Sequence, residues 1–221
     1  MKQIPYPRFV YFVRHGESEG NVGVHVQRPD EPLTPRGREQ ASFVGRRLYD
    51  RVGVEHIIAS TMTRAQETAQ IIAREMKWEK EIEYSSLLVE KIQPSTLLGT
   101  ERNNAPYLEF QREALARWDD PSWHHSDEEN FFDLKARSEN ALAYIASLPY
   151  QHIAVVTHGL FLRMMVGSIV LKDSLSPEIS HGLITGMRTQ NTGITVAEYN
   201  PGNTHKGWVI LTFNDYAHLP H

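Results

Sequence analysis

Short apolar runs alternate with longer stretches in which apolar residues recur every three to four positions. Arg8–Val13 (RFVYFV), Val54–Ala59 (VEHIIA) and His152–Thr157 (HIAVVT) have the length and β-branched or aromatic content of buried strands. Between them, Ala41, Val44 and Leu48 follow a helix start at Thr34-Pro35, with threonine suited to the N-cap and proline to the first turn. Ala65, Ala69, Ile72 and Met76 mark a helix from about Met62 to Lys77, and Phe131, Leu134, Leu142 and Ile145 mark one from Phe131 to Leu148. Leu160–Leu171 makes a third strand-following helix. Glu81–Leu88 is a weaker strand candidate, and strands near Gly193–Tyr199 and Gly207–Phe213 close the chain. Strands alternating with helices predict an α/β fold with a doubly wound, mostly parallel sheet and helices on both faces. Ligands of such sheets bind beyond the carboxyl ends of the strands.

The rhythm breaks between Lys91 and Asn130. This stretch has three prolines, two tryptophans and eight acidic residues against four basic ones. It reads as a cap-like insertion, at about 91–130, in one domain spanning residues 1–221. Within it, His124–Glu129 reads as a solvated acidic turn rather than a metal site.

The chain has 221 residues, a formal net charge of −4 and no cysteine. Without cysteine there is no disulfide framework, thiolate nucleophile or Cys-ligated metal. The charge gives no general basic footprint for nucleic acid or an anionic membrane. No apolar run approaches ~18 residues, and Met1–Pro7 lacks the apolar stretch of a signal peptide, so a cytoplasmic location is the expectation.

Three polar clusters follow the apolar runs: Arg14-His15-Gly16, Ser60-Thr61-Met62-Thr63-Arg64 and His158-Gly159. Strand-end loops gather at one rim, so two arginines and two histidines converge on one pocket. Arginine's planar fork fits phosphate oxygens, and Gly159 at a helix start adds backbone donors and a positive dipole end.

Arg14-His15-Gly16-Glu17-Ser18-Glu19-Gly20-Asn21 resembles the RHGE-type signature of the histidine phosphatase superfamily, the phosphoglycerate-mutase-like proteins. Leu33–Gly37 with Gln40-Ala41, Ser60–Ala69 and Val156–Gly159 resemble its further blocks, in family order. The resemblance implies a fold of the same name and a metal-independent phosphomonoesterase without cofactor. His15 would be the nucleophile, becoming a phosphohistidine. Arg14, Arg64, His158, Asn21 and Gly159 would hold the phosphoryl group, and Glu90 would be the general acid. No metal is implied. The expected partner is a small-molecule phosphate ester, with neither nucleic acid nor membrane, and a homodimer is left open. Phosphoglycerate mutases and several broad phosphatases carry Trp-Glu-Gly soon after the acidic residue, where this chain reads Lys91-Ile92-Gln93-Pro94. The substrate is therefore not carried over. Mutase-type phosphotransfer and a catalytically inactive phospho-ligand module stand as alternatives; the short tail after the last strand favours hydrolysis over transfer.

Overall fold

The computed structural model describes residues 7–202 and 207–220. Its elements are β1 (Arg8–Arg14), α1 (Glu19–Val22), α2 (Pro35–Arg51), β2 (His56–Ser60), α3 (Thr63–Glu75), β3 (Glu83–Ser85), α4 (Ala105–Ala116), α5 (Phe131–Ser147), β4 (His152–Thr157), α6 (Gly159–Leu171), α7 (Pro177–Gly186), β5 (Ile194–Asn200) and β6 (Gly207–Asp215). The signal-peptide reading of Met1–Pro7 falls, except for Pro7, outside the described residues.

One six-stranded sheet has the order β3-β2-β4-β1-β5-β6. The pairs β3–β2, β2–β4 and β4–β1 are parallel; β1–β5 and β5–β6 are antiparallel. The expected α/β fold is present, with the antiparallel strands confined to one edge. Because side chains alternate across a strand, β1 feeds two cores. Val10 and Phe12 pack with Leu134, Ile145, Phe161 and Met165 from α5 and α6. Val13 packs on the opposite face with Val44, Leu48, Ala65, Ala69 and Ile72 from α2 and α3. Both faces are covered, which is why the central strands read as continuous apolar runs.

Three helices went unread in the sequence: the four-residue α1, which buries only Gly20, and α4 and α7. Helix α4 begins at Asn104, whose side chain accepts from the Tyr107 amide at 2.8 Å, and buries only Phe110. Helix α7 begins at Ser176-Pro177 and buries only Ser180. The Glu81–Leu88 strand is shorter than expected: extended pairing covers Glu83–Ser85, and Ser86–Leu88 turns as a 3-10 helix.

The acidic turn at His124–Glu129 is also different from its reading. Glu128 and Glu129 are buried. Glu128 accepts from the amides of His125 and Ser126, at 2.6 and 2.9 Å. Glu129 pairs with Arg137 at 2.6 and 2.7 Å and accepts from the Ile92 amide at 3.0 Å. Local charge density had suggested solvation, but Glu129 is drawn inward by Ile92 and Arg137 and Glu128 by the amides of its own turn.

Candidate active site

Strand register brings the chemistry together. Arg14 lies opposite Thr157 on the β1–β4 pair, so the next residues, His15 and His158, leave the sheet side by side. On the other flank of β4, Ala59 lies opposite Val156, which places Ser60 level with Thr157. The His15 and His158 ring centroids are 5.0 Å apart, with the two residues 2% and 0% exposed.

The His15 ring is held in one orientation. Its Nδ1 lies 2.7 Å from the Gly16 carbonyl, which can only accept, so Nδ1 carries the proton and Nε2 keeps its lone pair. Arg64 Nε donates to that Nε2 at 3.3 Å. Burial first, then the charges of Arg64 and Arg14, hold the ring's pKa well below the ordinary histidine value. His15 is thus a buried, neutral imidazole with its free nitrogen turned toward a guanidinium.

His158 is tied through Nε2 to the Ser60 hydroxyl at 2.8 Å. That hydroxyl oxygen accepts from the Met62 amide at 3.2 Å, so its own proton is available to His158. With the Ser60 hydroxyl as the donor, Nδ1 carries the ring proton, and that nitrogen is buried without a partner among the described residues. Burial, followed by Arg64, also keeps this ring's pKa well below the usual value.

Arg14 Nη1 donates to the Thr189 carbonyl at 2.6 Å, and its Nε is buried without a partner. A Cβ at Gly159 would stand 3.1 Å from that Nε, so glycine lets the guanidinium lie against the start of α6. Arg64, at the start of α3, sends Nη1 to the Arg28 carbonyl at 3.1 Å.

Glu90 lies at the N-terminus of α6. Its Oε1 accepts from the amides of Phe161 at 2.9 Å and Lys91 at 3.0 Å, and its Oε2 from that of Leu160 at 3.1 Å. The first-turn donors expected to face a ligand directly are in part spent on this carboxylate. Sequence reasoning missed what carries Glu90. Arg137 of α5 donates to the carbonyls of Leu87, Val89 and Glu90 at 3.0, 2.7 and 3.3 Å, and Thr157 Oγ1 to that of Leu88 at 2.8 Å. A signal was present: Arg137 falls on the inner helical stripe between Leu134 and Ala141, where a charge needs a buried partner.

Asn21 is near the site in a supporting position. Its Oδ1 accepts from the Ser18 amide at 3.2 Å and from Asn191 Nδ2 at 3.0 Å. The same Asn191 nitrogen is 3.0 Å from the His15 carbonyl. Thr192, with φ 59°, donates its amide to the Arg14 carbonyl at 2.9 Å. A β-branched residue in the left-handed region is costly, and here the strain serves to grip the loop that carries His15. Nothing in the spacing of Thr189–Thr192 marks it as part of the site.

Among the described residues no group of three or more His, Asp or Glu side chains could hold a metal ion, and no helix is long and apolar enough to cross a membrane.

A family model described as the histidine phosphatase superfamily, branch 1, matches residues 10–215. A curated relative from Salmonella arizonae, named "Probable phosphoglycerate mutase GpmB", is 29% identical over 218 residues, covering 95% of this chain and 94% of its own. A relative of the same name from Proteus mirabilis is 28% identical over 216 residues, with the same coverage. Among solved structures, Bacillus stearothermophilus YhfR superposes with a TM-score of 0.74 at 26% identity, covering 96% of this chain and 98% of that one. A phosphoserine phosphatase from Entamoeba histolytica, in complex with phosphoserine, superposes at 0.73 with 23% identity, covering 96% and 100%.

Proposed function

The chain belongs to the histidine phosphatase superfamily, branch 1, and from that premise we propose that it is a metal-independent phosphomonoesterase working through a phosphohistidine at His15. The observation that carries this reading is the His15 ring itself: neutral, proton fixed on Nδ1, with Nε2 beside Arg64 and His158. In the first step Nε2 forms a bond to phosphorus as the ester P–O bond breaks. The departing oxygen takes the bond pair and a proton from the Glu90 carboxyl. Oε2 of Glu90, with one amide partner to the other oxygen's two, has the capacity left for that proton. In the second step a water oxygen attacks phosphorus, the N–P pair returns to Nε2, and Glu90 takes the water proton. The sum is ester plus water to alcohol plus phosphate.

Arg14, Arg64 and the Nδ1–H of His158 would hold the phosphoryl oxygens, and stabilising their charge is the larger part of such a reaction. Gly159 would let Arg14 into place, and Asn21 would serve from the loop after the signature. Residues 91–130 would cap the pocket.

The curated relatives named as mutases support a second reading, in which the phosphoryl group passes from His15 to a second hydroxyl of the same substrate molecule before that molecule leaves. Brief incubation with a 32P-labelled monoester and chelator, then alkaline quench, should leave acid-labile label on His15. Free phosphate should accumulate without isomerised ester. Label and turnover persisting in His15→Ala would overturn the proposal; isomer accumulating in place of phosphate would establish the mutase.

A further inference from the structure

Arg64 and Glu90 stand at the inner end of a cleft of about 850 Å³, within the range that encloses small organic ligands. Met62, Leu87 and Leu160 wall it from the body; Ile92, Leu98 and Tyr107 wall it from the 91–130 insertion. Four further cations line it, and their engagements decide what it recognises. Arg137 is spent on Glu129 and three carbonyls, with its guanidinium 4.0 Å from the Phe161 ring centroid. The Lys91 ammonium lies 4.6 Å over the Trp118 ring, away from solvent. Arg102 donates to the Gly20 carbonyl at 3.0 Å, and Arg28 is exposed. Between the phosphoryl end and that rim the lining is mainly apolar, with Gln27, Thr61, Ser86 and Gln93 as its neutral polar groups.

A second cleft, of about 560 Å³, opens on the other side of Glu90 and is lined by Arg14, Arg163, Arg188, Thr185 and Thr189. Polar and apolar surfaces around the phosphoryl site are therefore segregated. A small hydroxy acid in the first cleft would set its carboxylate against a mainly apolar wall, with only the rim cations Arg28 and Arg102 to offset its lost water. An apolar group there gains by leaving water.

We infer that the substrate's organic part is an alkyl or aryl body that fills the Met62–Leu98–Tyr107 cleft, so that the enzyme takes hydrophobic phosphomonoesters in preference to small phosphorylated acids. This substrate class rests on His15 being the phosphoryl acceptor, and its test separates the two. Alkylphosphonates cannot be hydrolysed, so their affinity reports the cleft alone. Calorimetric Kd values for the n-alkylphosphonates from methyl to hexyl should fall about fourfold per methylene. Leu98→Ser and Ile92→Ser should flatten that series and leave methylphosphonate unchanged. In parallel, kcat/KM for the matching n-alkyl phosphates should exceed that for 3-phosphoglycerate and phosphoserine by a widening margin. A flat affinity series, with His15 still labelled by any ester, overturns the substrate class alone. A steep series with no labelling of His15 overturns the hydrolase reading and the substrate class with it, and leaves the cleft as a binding site for apolar phosphonates.

Discussion

Glu90 and Asn191 would serve the proposed reaction in two different ways. If Glu90 supplies the leaving group's proton, Glu90→Gln should cost ~10²–10⁴-fold in kcat on an alkyl phosphate. It should cost far less on p-nitrophenyl phosphate, whose leaving group hardly needs protonation. Equal losses on both esters would make Glu90 a brace for α6, consistent with its three amide partners. Among the described residues the Asn191 side chain hydrogen-bonds to the His15 carbonyl and Asn21, so Asn191→Ala should lower kcat about tenfold with KM nearly unchanged, and Asn191→Ser should recover part of the loss. A raised KM at constant kcat would instead put Asn191 in contact with substrate. The sequence announced Arg14, His15, Arg64 and His158 because each directly follows a strand or opens the next helix. It was silent on Ser60's hydrogen bond and Asn191, whose contacts reach across 98 and 176 positions, and it marked Arg137 only as a charge on an inner stripe, without its partners up to 50 positions away. Such pairings leave no local pattern.

Elements show the same division. Strands and helices that bury a face on the sheet were readable by period, whereas α4 and α7 bury one residue each and leave no stripe. Their caps, Asn104 and Ser176 with a proline in the first turn, were the only signals. Helix α2 matters most to the site because the loop after His15 sits on its first turn. The Thr34 hydroxyl accepts from the Gly37 amide at 3.0 Å and lies 2.9 Å from Glu17 Oε1. A Cβ on Gly37 would stand 1.9 Å from the Glu17 carbonyl oxygen, and one on Gly16 2.3 Å from that of Gly37. Backbone meets backbone, with no flexible side chain to give way. Gly37→Ala should therefore destabilise the fold by ~1–3 kcal/mol, seen as a lower Tm, and depress kcat by shifting the His15 loop. Wild-type Tm and activity in this variant would mean the loop relaxes freely.

Across the whole molecule, acid stability follows from the buried rings. His15 and His158 have pKa values well below 6.5, chiefly through burial, and burial lowers that of His218 to about 4. The unfolded chain takes up protons near pH 6.5 and the folded one does not, so stability is full above 6.5 and falls as pH drops toward the folded values. Each ring contributes up to about 1.4 kcal/mol per pH unit in that window. The carboxylates with lowered pKa values, among them Glu75, Asp215 and Glu128, act only below their ordinary range near 4. Urea titrations should show stability declining between pH 6.5 and 5, and a level profile there would mean these rings are hydrated. The clefts on either side of Glu90 bear on traffic through the enzyme. One carboxylate borders both openings, so if Glu90 is the acid, the proton it gives to an alcohol on the oily side would be regained from water arriving on the arginine side. A bulky alcohol that lingers after bond cleavage would then leave the water route unobstructed. Partition of the phosphoenzyme would favour the solvent over any returning acceptor, and adding free alcohol should yield little re-esterified product.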